Sequence, residues 1–134
     1  MSLPIAPERR ALQIATALAA CVPVAAGVWG MWAGTGFLDL PANVSADSHI
    51  RYLSGLLFGI GVAFWLAVPS IEKHGGRFAL LTAIVFAGGL ARLLGLFVTG
   101  VPNNAMLFGL AMELIVTPAI WMWQRRVARQ CSES

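Results

Sequence analysis

The chain has 134 residues, of which 58% are hydrophobic and 11% charged, with a mean hydropathy of +0.76 and a formal net charge of +3. A soluble domain carries about 25% charged residues, so this chain cannot cover a water-facing globule of its size. Its nine basic residues form no single basic face with interleaved aromatics, which argues against nucleic acid as a partner.

The apolar residues gather into four runs, at about 11–33, 50–68, 78–99 and 105–123. Each approaches the ~20 residues needed to cross a bilayer core. Backbone groups in lipid have no water to bond, so each run must be a helix. The expected fold is all-α: a single membrane domain over residues 1–134, built as a four-helix up-down-up-down bundle. The lipid bilayer is its expected surroundings.

Pro7 and Glu8 before the first run suit a helix start. "LAAC", ending at Cys21, fits the short box before a lipidated cysteine, but the chain stays apolar after it, so Cys21 reads as a small core residue. Pro23 lies within the span and should kink it. The loop "GTGFLDLPANVSADSH" follows. Its Asn43–Ser45 matches a glycosylation acceptor, which means little in a chain that looks bacterial. Asp47 or Ser48 is expected to cap the second helix. Pro69 ends that helix, and "SIEKHGG" leads into the third. Within the third run Arg92 is the only charge. "GVPNN" leads into the fourth, where Pro118 should kink the helix and Thr117 could satisfy a freed carbonyl.

Orientation follows from Lys and Arg near the span ends. Arg9, Arg10, Lys73, Arg77, Arg125, Arg126 and Arg129 all fall on one side of a four-span layout. Both termini and the middle loop are therefore expected in the cytoplasm, with the protein in a bacterial inner membrane. Trp29, Trp32 and Tyr52 then mark the outer interface, and Trp65, Trp121 and Trp123 the inner one.

Arg92 lies roughly 10 Å from the outer end of its helix, and Glu113 roughly 14 Å from the same surface. Arg51 is near the outer start of the second span. Each charge shares a helical row with small residues: Arg51 with Gly55 and Gly59, Arg92 with Gly88 and Gly95, Glu113 with Gly109. Such rows are where membrane helices approach closely. An unpaired charge at mid-membrane costs on the order of 3 kcal/mol, so Arg92 should pair with Glu113. Arg51 can pair with Asp47 one turn earlier, and His49 can join that outer cluster.

Two readings follow. In one, Arg92 and Glu113 are a structural pin that fixes helix register. In the other, Arg51 and Arg92 outnumber Glu113, and the surplus charge holds a carboxylate, phosphate or quinone-like oxygen. No reaction is assigned. Paired cysteines, haem-binding histidine pairs, a phosphate loop and a metal cluster are all missing from the sequence.

"SHIRYLSGL" at 48–56, "GGLARLLG" at 88–95 and "ELIVTP" at 113–118 resemble small four-span membrane proteins of the domain of unknown function numbered 4345. The resemblance implies a four-helix inner-membrane protein with no assigned activity. It also points to His49, Arg51, Tyr52, Arg92 and Glu113. A looser similarity, in size and span count, is to DoxX-like membrane proteins, some of them linked to quinone redox systems. The expected function is binding of an amphipathic lipid- or quinone-like ligand, or service as an accessory subunit of a membrane complex, with a homo-oligomer as one form. The alternatives are a small dimeric proton-coupled transporter or channel using Glu113, and a lipid-modifying enzyme using His49 and Glu113. Apart from a bound lipid or quinone, no cofactor is expected.

Overall fold

A computed structural model of the protein describes residues 5–134. Its elements are helical, and the described residues contain no strand. Helix α1 covers Ile5–Ala33 and passes into a 3-10 turn at Gly34–Leu38. Helix α2 covers Val44–Ala67 and passes into a 3-10 stretch at Val68–Lys73. Helix α3 is Gly75–Thr99. The last helical stretch comprises α4 (Asn104–Ala111), a π turn (Met112–Val116) and α5 (Thr117–Glu133). Four stretches are long and apolar enough to cross a membrane. The all-α expectation holds, and the four apolar runs are four long helices.

The helices overrun the apolar runs. Helix α2 starts at Val44, where Asn43 is the cap: its side chain accepts the Ala46 N–H at 2.9 Å. Asp47 and Ser48, the expected caps, lie inside the helix. Asn43 takes the role because its extended backbone turns the side-chain oxygen onto the open N–H groups of the first turn. Helix α2 ends at Ala67, just before Pro69, as expected. Helix α1 runs unbroken through Pro23.

Pro118 acts on its helix differently. It has no N–H and its ring crowds the carbonyl four residues back. The chain answers with the π turn just before it, where the Met112 carbonyl accepts from Thr117 N–H. Thr117 Oγ1 donates to the same carbonyl at 2.8 Å. The Thr117 hydroxyl thus adds a second donor to a carbonyl its own N–H already reaches, rather than serving the one freed by Pro118 as expected.

The chain divides into two compact units. One is Thr16–Val68, an antiparallel pair of α1 and α2. Glycines set their approach: a Cβ on Gly27 would stand 2.7 Å from Phe58 N and from Ser54 O, and one on Gly61 would stand 2.6 Å from Val24 Cγ2. Close backbone contact of this kind is how small residues hold membrane helices together.

The other unit is Pro69–Ser134 with the start of α1 up to Ala15. Its core is at one end, where Leu12, Ile71, Phe78 and Val127 are fully buried. Gln124 is fully buried among the same elements and donates to Ile71 O at 2.9 Å. Farther along, a Cβ on Gly89 of α3 would stand 2.7 Å from Leu114 Cδ2 and 2.9 Å from Glu113 Cβ, so the π turn lies directly on α3.

Candidate functional site

Arg92 projects from α3 and Glu113 from the π turn. Nε and Nη2 of Arg92 each donate to one Glu113 oxygen, both at 3.1 Å. This two-point geometry is the strong form of the ion pair. The side chains are 35% and 18% exposed. On its other edge, Arg92 Nη1 meets the Met106 thioether sulfur at 2.9 Å. A thioether is a weak acceptor. Gly109 lies alongside, with room for a Cβ 4.0 Å from the guanidinium carbon. The expected pair is therefore formed, and Met106 is a neighbour that the sequence reading missed. Its only signal was position, about two helical turns before Glu113.

Arg51 makes a different set of contacts. Its Nε donates to Asp47 at 2.7 Å, one turn back on α2. Its Nη1 donates to the carbonyls of Met31 and Trp32, at 2.5 and 3.1 Å. Those carbonyls belong to the last turn of α1, which has no partners of its own and carries the negative end of the helix dipole. Asp47 in turn accepts the Thr35 N–H at 3.1 Å. Gly34 adopts φ +55 here, and a Cβ on it would collide with Asp47. Arg51 and Asp47 together clamp the α1–α2 corner.

His49 and Tyr52 are exposed, and neither donates or accepts a side-chain hydrogen bond among the described residues. The structure brings Arg51 to Asp47 and Arg92 to Glu113, in separate units. Of the small residues expected at helix contacts, Gly55 has ordinary contact with Met31, at 3.6 Å from its sulfur. Gly59, Gly88 and Gly95 face open space. The close approaches fall instead on Gly27, Gly30, Gly61 and Gly89. The spacing of Gly27 and Gly30 along one face, continued by Gly34, was the available signal for two of these close contacts.

A third polar group lies at the ends of the spans. Arg9 donates to Glu72 at 2.7 Å and to Pro69 O at 2.9 Å. The Arg9 guanidinium holds the Glu72 carboxyl below its ordinary value. Glu8 accepts from the Trp123 indole at 3.3 Å and pairs with Arg126 at 3.4 Å. Ser70 Oγ lies 3.1 Å from His74 Nε2. These contacts join the start of α1, the 3-10 stretch and α5 around the buried end of the second unit. No three His, Cys, Asp or Glu side chains gather into a metal-binding group among the described residues.

No curated protein and no solved structure matches the chain. The family described as Domain of unknown function (DUF4345) matches residues 11–124, which include Arg51, Arg92 and Glu113, and the chain belongs to that family.

Proposed function

We propose that Arg92 is the anchor of a ligand site for an amphipathic molecule bearing an anionic or carbonyl oxygen, a lipid or a quinone. The supporting observation is its uneven set of partners. An arginine has five N–H donors. Among the described residues, only Glu113 offers Arg92 an oxygen, and its far edge rests on a thioether. At roughly 10 Å from the end of α3, that edge lies at a level where water is scarce. A ligand oxygen that displaces Met106 completes the set, while Glu113 holds the guanidinium in place. Arg51 is left out of this role, because its donors are taken up by Asp47 and the end of α1.

The same reading makes the chain a four-span up-down-up-down protein of an inner membrane with cytoplasmic termini. Its support is the seven Lys and Arg residues at one set of span ends. Service in a larger assembly is the second reading. It is favoured by Gly88 and Gly95, which flank Arg92 on its own row and stand open to a neighbouring helix. Transport through Glu113 gains less support, since both its oxygens already accept from Arg92.

The test is native mass spectrometry of the protein extracted gently with its own lipids. A discrete added mass of lipid or quinone size, lost in Arg92→Leu, is the expected result. An added mass that persists unchanged in Arg92→Leu, or a protomer that carries only protein partners, overturns the ligand reading.

A further inference from the structure

The outward face of the last helix changes character at one point. Ile115, Ala119 and Met122 are exposed, and the same face continues into exposed Arg125, Arg126 and Arg129. From Ala119 onward the spacing of three and four residues puts these side chains in one row. The helix stays regular to Glu133, so the row does not turn away at the end of the span. Trp121 and Trp123 stand where the row changes, as aromatic side chains do at the boundary between chain and headgroup regions. Arg129 lies roughly 9 Å beyond Trp123 along the axis, which is headgroup depth.

The cations on this row are only partly compensated. Arg126 pairs with Glu8 yet remains 62% exposed. Arg125 and Arg129 have no ion pair among the described residues. Arg125 is held 5.2 Å over the Trp121 ring, which fixes its plane beside the boundary. A shallow cleft of about 530 Å³ lined by Glu8, Met122, Trp123 and Arg126 opens at the same place.

We infer that α5 carries a binding face for one anionic phospholipid, its acyl chain lying along Ile115, Ala119 and Met122 and its phosphate held by Arg125, Arg126 and Arg129. Charge complementarity selects the occupant. An apolar strip alone accepts any lipid, and an arginine cluster alone accepts any anion. Only a phospholipid with a net negative headgroup joins the two in this order along one face. This face is separate from the Arg92 site and does not depend on it.

The test uses the full chain in detergent micelles, titrated with phosphatidylglycerol or phosphatidylcholine of the same acyl composition and read by native mass spectrometry. A basic side chain near an anionic surface contributes about a fivefold factor in affinity. The two unpaired arginines should therefore give a preference of about 25-fold for phosphatidylglycerol. Arg125→Gln with Arg129→Gln should bring the two lipids close to parity, and Arg125→Lys with Arg129→Lys should keep most of the preference. Equal binding of both lipids by the native chain overturns the proposal, as does a glutamine double variant that keeps the preference. Loss of the preference in Arg92→Leu, with the α5 arginines intact, would move the lipid to the other site and also overturns it.

Discussion

Arg51 and Arg92 each grip a carboxylate with two donors, yet they serve different ends. Arg51 lies at the α1–α2 corner, and its remaining donors go to the Met31 and Trp32 carbonyls. Every contact it makes closes a helix end. Arg92 has only a thioether on its free edge, in the middle of a helix that needs no cap. The same residue type in the same kind of pair closes a helix corner in one place and, in the function proposed above, anchors a ligand in the other. What separates them is the last acceptor.

The largest expected effect is on the Arg92 pair. Arg92→Leu leaves Glu113 uncompensated and should cost about 3 kcal/mol, the lower end for breaking a buried pair, because Arg92 keeps a third of its surface exposed. Arg92→Leu with Glu113→Leu should recover most of that loss in thermal unfolding. Arg51→Gln should lower the melting temperature by less than Arg92→Leu does, because its hydrogen bonds to Asp47 and to the α1 carbonyls are exposed to solvent. Here Asp47→Asn in addition should recover nothing, since the α1 carbonyls stay unpartnered. Recovery at both pairs would erase the distinction between them.

Two adjacent glycines sharpen the same contrast. Gly89→Ala should cost about 1–2 kcal/mol, because the new methyl presses on Glu113 and Leu114. Gly88→Ala meets nothing and should gain about 0.5 kcal/mol of helix stability in the isolated protomer. A loss on Gly88→Ala in native membranes alone would reveal a partner on that row.

The smallest effect concerns the pair at the span ends. The carboxyl of Glu72, which lies between the second and third apolar runs, is held below its ordinary value of 4.5 by Arg9. The ionised form is the one the fold favours, so its contribution is present above about pH 4.5 and is lost as pH falls through the lowered value. The melting temperature should drop below that point, and Glu72→Gln should flatten this part of the profile. An unchanged acid limb in Glu72→Gln would remove Glu72 from the pH response.

Much of this was legible in the sequence. The four helices followed from apolar run length, since lipid admits few other spanning structures. The Arg92–Glu113 pair followed from the cost of a lone charge, and Arg51–Asp47 from a spacing of four. Helix ends were less legible: polar turns beyond the apolar runs, from Val44 and out to Glu133, still form helix once capped or tethered. The contacts of Glu8, Arg9 and Gln124 were not legible, because they join residues 53 to 115 positions apart. The glycines that pack within each unit are not the ones the rows singled out, because every span is rich in small residues. Shared rows of Gly and Ala cannot tell which row a neighbour occupies.

The π turn has a consequence for how this chain tolerates length changes. A π turn holds one residue more than the α-helical turn it replaces, and that residue rotates everything beyond it by about 100°. The direction of the Arg125–Arg129 row is therefore phased against that of Glu113 by the count between them. Deleting one residue within Met112–Val116 would leave the composition and hydropathy of the span almost intact. It would still swing one face away from its surroundings, so this short segment should accept substitutions far more readily than a single-residue indel.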